Sequence, residues 1–102
     1  MTKKKVATKK EKEWMRKVAE LGCYACEIST GYWTIAEVHH IRSLKNGSGI
    51  GLRPPHSDTI PLCSIHHRTG KDSIHLGKKL FIKLNGTEQE ILEIVKRRIN
   101  NE

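Results

Sequence analysis

The chain has 102 residues, only 36% of them apolar, with two tryptophans, two tyrosines and one phenylalanine. That is enough for one compact domain with a thin hydrophobic core, which a structural metal would usefully supplement. The formal net charge of +8 favours polyanionic partners, nucleic acid first, and no stretch approaches the length of a membrane-spanning helix, so no membrane role is expected.

Residues 1–7 read as a disordered basic tail, and residues 8–102 as one domain. Thr8 caps a first helix, with Glu11 three positions on as its reciprocal partner. Trp14, Met15, Val18 and Leu21 recur at helical spacing, and Gly22 stands where a left-handed terminator is wanted. A Cys23-Tyr24-Ala25-Cys26 knuckle follows directly. Residues 32–42 are rich in β-branched and aromatic types and predict a strand. Glycines and prolines make residues 43–57 a loop. Thr59 to Leu62 predicts a short second strand, confined by Pro61 to a sheet edge or an end. Cys63 to Arg68 starts a short helix. Leu76 to Leu84 predicts another, stopped by Asn85-Gly86. Thr87 and Glu90 then form a capping box for a last helix that buries Ile91, Ile94, Val95 and Ile99 and exposes Lys96, Arg97 and Arg98.

All three cysteines and all six histidines lie between Cys23 and His75, and the flanking helices contain none. Three cysteines cannot all pair within the chain. The C-x2-C spacing suits a metal knuckle in a reducing compartment better than a disulfide framework. The basic start lacks the apolar stretch of a secretory signal, so a cytoplasmic location is expected. Cys23 and Cys26 supply one half site; Cys63 and His66 supply a C-x2-H half site. Together they make a closed Cys3His set of the kind that holds structural zinc, and soft thiolates favour zinc over magnesium.

His39, His40, His56, His67 and His75 remain. Neighbouring side chains on a strand point to opposite sides, so His39 and His40 are expected to do different jobs. One can bind a cation and the other can take a proton, as a neutral imidazole near pH 7 does readily. His67 follows a zinc ligand at a helix start, where it can face the same cation. Imidazoles suit several divalent ions, zinc, nickel and manganese among them.

These residues resemble the HNH, or ββα-metal, endonuclease superfamily. The resemblance is carried by Cys23-Tyr-Ala-Cys26, Val38-His39-His40-Ile41, Asp58-Thr-Ile-Pro-Leu-Cys63 and Cys63-Ser-Ile-His66-His67, and it covers residues 23 to about 75. The longer string from Arg53 to Gly70, with His75 and the helix after it, looks most like the bacteriophage recombination-enhancement, RecA-dependent nucleases, over about residues 20 to 95. The resemblance implies an α+β fold: a small ββα-metal core with a zinc knuckle, flanked by N- and C-terminal helices. It implies that His40 is the general base, and that His39 and His67 are ligands of a catalytic divalent cation (Mg²⁺, Mn²⁺ or Zn²⁺). His75 is then a further cation ligand or a phosphate contact. Asp58 stands at the middle motif position, which is Asn in much of the superfamily; His56 is the alternative occupant.

The implied activity is metal-dependent hydrolysis of DNA phosphodiester bonds. Arg42, Arg53, Lys71, Lys78 and Lys79 are candidate contacts to the phosphate backbone, which position DNA without reading its sequence. No recognition helix or finger array is visible, so low sequence specificity is expected, or specificity set by DNA structure or by a partner. The resemblance also implies a RecA-type recombinase filament as a partner. Two other readings stand beside it: a zinc-stabilised DNA-binding module without catalysis, and an accessory protein that acts by contact with a recombinase. The first does not account for His39, His40, His67 and His75 together; the second would put weight on the basic tail and the terminal helices.

Overall fold

The computed structural model describes residues 8–42 and 55–101. The expected N-terminal tail and most of the expected loop, with Arg53, lie outside them. The described elements are helix α1 (Lys9–Glu20), helix α2 (Tyr24–Thr30), strand β1 (Glu37–His40), strand β2 (Thr59–Leu62), a single π turn (Ile65–Thr69), helix α3 (Lys78–Asn85) and helix α4 (Glu88–Asn100). This is a small α+β arrangement of four helices and a two-stranded antiparallel sheet.

Both expected capping boxes form. Thr8 accepts from Glu11 N–H while the Glu11 side chain accepts from Thr8 N–H, and Thr87 and Glu90 repeat the exchange at the start of α4. Each closes two orphan N–H groups of a first turn. Gly22, at φ +81°, turns the chain out of α1. A Cβ there would come within 2.5 Å of both Cδ1 and Nε1 of the Trp33 indole, so the position needs glycine twice over.

Helix α2 was not expected. It starts inside the knuckle, where the Cys23 sulfur accepts from Cys26 N–H and serves as the N-cap. It ends at Gly31, φ +78°. The strand expected over 32–42 shrinks to four paired residues for a related reason. Strand β2 is four residues long, so only Glu37 to His40 find partners. The preceding segment bonds elsewhere: Thr34 O accepts from Cys23 N–H, and Trp33 Nε1–H donates to Glu20 O.

The register pairs Glu37 with Leu62, Val38 with Pro61, His39 with Ile60 and His40 with Thr59. Ile41 N–H donates to Asp58 O at 2.9 Å, which makes that pair and every second pair before it the hydrogen-bonded ones. Val38–Pro61 is therefore a non-bonded pair, and the missing proline N–H costs no ladder bond. All four residues of β2 are buried. Helices α1, α2 and α4 pack on β2, and Val18, Ile60, Leu62, Phe81, Ile91, Leu92 and Val95 form the centre of the core.

The helix expected from Cys63 is one π turn, closed by Gly70 N–H donating to Ile65 O at 2.8 Å. Helix α3 starts two residues later than expected. Ser73 takes the N–H of Leu76 on its hydroxyl and the N–H of Gly77 on its carbonyl, which holds residues 73–77 in a turn of their own. Gly77 sits so close to Lys71 that a Cβ would lie 1.9 Å from Lys71 O.

Candidate functional site

The Cys3His set assembles as the spacings predict. Cys23 caps α2, Cys26 lies in its first turn, Cys63 follows β2 and His66 lies in the π turn. The ligand atoms of all four lie within 4.8 Å of one another. Cys26 Sγ is 3.7 Å from Cys63 Sγ, and His66 Nδ1 is 3.2, 3.4 and 3.7 Å from the sulfurs of Cys63, Cys26 and Cys23. A zinc tetrahedron with ordinary bond lengths has S···S edges of ~3.8 Å and S···N edges of ~3.5 Å. These four residues can hold a metal ion, and their chemistry is that of a zinc site.

The surroundings act unequally on the thiols. Cys26 N–H donates to the Cys23 sulfur and His66 N–H to the Cys63 sulfur. Burial pushes the Cys23 thiol up to about 12. Burial also works to raise Cys63, but hydrogen bonds from His66, backbone and ring, and from the neighbouring sulfurs outweigh it and bring that thiol down to about 7. On the far side of the His66 ring, Nε2 lies 3.7 Å from the Asp72 carboxylate.

A second cluster lies beside the first. The ligand atoms of His39, His67 and His75 also fall within 4.8 Å of one another. His39 Nδ1 and His67 Nε2 face each other at 3.1 Å. Ring centroids are 5.3 Å apart for His39 and His75 and 4.8 Å apart for His67 and His75. Three imidazoles around one ion at bonds of about 2.0–2.1 Å give N···N edges of ~3.3 Å, so this trio also fits a cation. Strand alternation puts Glu37 and His39 on one face of β1 and Val38 and His40 on the other. His67 is in the π turn, and His75 is brought alongside by its N–H, which donates to His67 O at 3.3 Å.

Two carboxylates that sequence reasoning missed brace the trio. Glu88 Oε2 lies 2.7 Å from His39 Nε2, and Glu37 Oε1 lies 2.8 Å from His67 Nδ1. Their other oxygens pair with Lys78 Nζ at 3.1 Å and with Arg68 at 2.6 Å. The bond to His67 holds the Glu37 carboxyl below the usual range. At Glu88 burial opposes the charge, but the bonds to His39 and Lys78 outweigh it and lower that carboxyl as well.

His40 takes its own partner. Its Nε2 lies 2.9 Å from His56 Nδ1. Burial, and then the charges of His56, His39 and His67, push the His40 imidazole down; burial and then the charges of His39 and His67 lower His75. One pocket of about 410 Å³ is lined by Val38, His39, His40, Arg42, His56, His67 and His75. His39 and His40 thus leave opposite faces of the strand and still line one pocket.

The remaining candidates are spread more widely. Asp58 accepts Ile41 N–H on its backbone oxygen, and its carboxylate lies 3.6 Å from Lys96 Nζ; His56 meets the His40 ring. Arg42 lines the pocket. Lys71 and Lys79 are exposed. Lys78 is engaged with Glu88. No described helix is long and apolar enough to cross a membrane.

Comparison with curated proteins gave no significant match. A family model described as recombination enhancement, RecA-dependent nuclease, matches residues 7–100, a span that takes in both clusters and all the described helices. By that match the chain belongs to the family of recombination-enhancement, RecA-dependent nucleases.

Proposed function

We propose that this chain is a metal-dependent DNA endonuclease of the HNH (ββα-metal) type, acting in recombination on DNA that carries a RecA-type filament. The observation that carries the reading is the shared pocket: the His40–His56 pair opens onto the same space as the His39, His67 and His75 trio. The order β1, β2, turn, α3 agrees with a ββα core. Cys23, Cys26, Cys63 and His66 would hold a structural zinc, and the trio a catalytic Mg²⁺, Mn²⁺ or Zn²⁺. That cation, when bound, supplies positive charge to a phosphoryl oxygen and to the leaving 3′ oxygen.

The protein's own groups do the rest. With His40 Nε2–H donating to His56 Nδ1, His40 Nδ1 is the nitrogen left with a lone pair to accept a proton from the attacking water. His56 fills the middle motif position and orients the His40 ring. Asp58 contributes through its backbone, fixing the end of β1 at Ile41. Arg42, at the pocket, and the exposed Lys71 and Lys79, four residues before and after His75, hold backbone phosphates. Lys78 contributes less, because Glu88 already neutralises it. Arg53 is assigned to the phosphate backbone by its place in the motif alone. No base-reading element is present among the described residues, so specificity rests on DNA structure or on the filament. The expected location is the cytoplasm.

The test is cleavage of single-stranded, duplex and RecA-coated DNA with Mg²⁺ or Mn²⁺, with and without chelator. His40→Ala should lower the rate by about 10²–10⁴-fold and leave DNA binding intact. Cleavage unaffected by His40→Ala would remove His40 from the chemistry. Binding without cleavage under every condition would favour a zinc-stabilised DNA-binding module.

A further inference from the structure

We infer that Glu37 and Glu88 are positioning residues of the histidine trio: each fixes the tautomer of one imidazole, so that the two nitrogens left unprotonated face the same point. The inference rests on the proposal that the trio holds a cation. An ionised carboxylate only accepts hydrogen bonds. Opposite Glu88, His39 must therefore carry its proton on Nε2; opposite Glu37, His67 must carry its proton on Nδ1. The nitrogens left with lone pairs are His39 Nδ1 and His67 Nε2, the two atoms 3.1 Å apart. Lone pairs at that distance repel unless a positive centre lies between them, so the carboxylates define a place for one.

The two braces come from separate parts of the chain and are themselves anchored. Glu37 is on β1, two residues before His39, and its second oxygen is held by Arg68. Glu88 is the first residue of α4, behind the Thr87 cap; only 13% of its side chain is exposed, and Lys78 holds its second oxygen. With both oxygens of each carboxylate occupied, neither brace is free to turn inward and bind the cation itself. Two of the three imidazoles, His39 and His67, are thus each backed by a carboxylate, an arrangement that raises ligand basicity and fixes ring orientation. His66 repeats the design more loosely at the other cluster, with Asp72 at 3.7 Å.

The test uses the zinc-loaded full chain and two readouts. The first is the histidine-ring ¹H–¹⁵N correlation spectrum before any second ion is added. His39 should appear as the Nε2–H tautomer and His67 as the Nδ1–H tautomer. The second is calorimetric titration with Mn²⁺, which competes poorly with zinc for thiolates. One Mn²⁺ should bind per chain. Glu37→Gln and Glu88→Gln should each weaken it by about 10–100-fold. An amide can donate as well as accept, so each variant should also mix the tautomers of its own histidine and leave the other histidine unchanged. A purely structural role would not produce that pairwise response. Variants that keep Mn²⁺ affinity within twofold and both tautomers intact would overturn the inference. Should the parent protein take up no Mn²⁺, the cation site itself fails, and the tautomer spectra alone decide whether the carboxylates position the rings.

Discussion

Replacing Cys26 with alanine removes one corner of the Cys3His cluster, and its cost can be worked from the chain's connectivity. Cys26 and Cys63 are 37 residues apart and lie on either side of the sheet in sequence. Treated as a cross-link, a closed loop of that length restricts the unfolded chain by about 4 kcal/mol. The full contribution of a structural zinc is larger, about 10–16 kcal/mol in small zinc-dependent domains. A domain of this size has roughly 5–15 kcal/mol of stability in all. At about 4–8 °C per kcal/mol for a domain of this length, even the lower figure shifts the thermal midpoint by on the order of 15–30 °C. The assay is thermal unfolding followed by circular dichroism, with bound zinc measured by a colorimetric chelator on the same samples. Cys26→Ala should bind far less than one zinc per chain and melt at least 15 °C lower, or show no folded baseline. Excess chelator should push the parent protein the same way. A variant that loses its zinc and still melts within about 4 °C of the parent would refute the reasoning, because the cluster would then contribute no more than about 1 kcal/mol.

Gly22→Ala places a Cβ against the Trp33 indole and in a left-handed backbone, so it should destabilise the chain by at least about 1–2 kcal/mol; adding Trp33→Ala should relieve the clash with the indole, and chemical denaturation of Gly22→Ala, Trp33→Ala and the double variant checks it. Lys71→Ala and Lys79→Ala should each weaken DNA binding uniformly across sequences and reduce the slope of log K against log salt by about 1, which fluorescence anisotropy at several salt concentrations would show.

What the sequence made legible was mostly local. A capping box declares itself within four residues, and both of them formed, at Thr8 and Thr87. The two cysteine half sites were visible as short spacings, and residues that bind one ion need only be brought together by the fold between them. The strand is shorter than 32–42 because its length is set by β2, which begins 19 residues after His40 and offers four partners. Helix α2 carries no ordinary start signal, because a cysteine sulfur, rather than a serine or aspartate oxygen, caps it. Glu37 was within reach of the period-2 rule, since it shares a strand face with His39. Glu88 was not, since 49 residues separate it from His39, and only the packing of α4 against the sheet joins them. The closeness of His56 to the His40 ring likewise depends on geometry that no spacing encodes.

The two clusters share a border at His66 and His67, and the π turn explains how neighbouring residues can face different clusters. His66 Nδ1 points among the sulfurs, while His67 Nε2 points at His39. The backbone oxygens of the same two residues accept the N–H groups of Ile74 and His75 at 2.9 and 3.3 Å, so the returning chain that carries His75 is hung on this turn too. A zinc held by Cys63 and His66 would fix the turn at two points three residues apart. The next residue along is His67, and the strand of hydrogen bonds after it sets His75. Groups that bind a reacting cation need placement to about 0.5 Å, and a short turn with no regular helix behind it would not supply that alone. The metal that holds the fold would therefore also set the geometry of the histidine trio, and loss of the Cys3His ion should scatter His67 and His75 even in chains where α1, α4 and the sheet still pack.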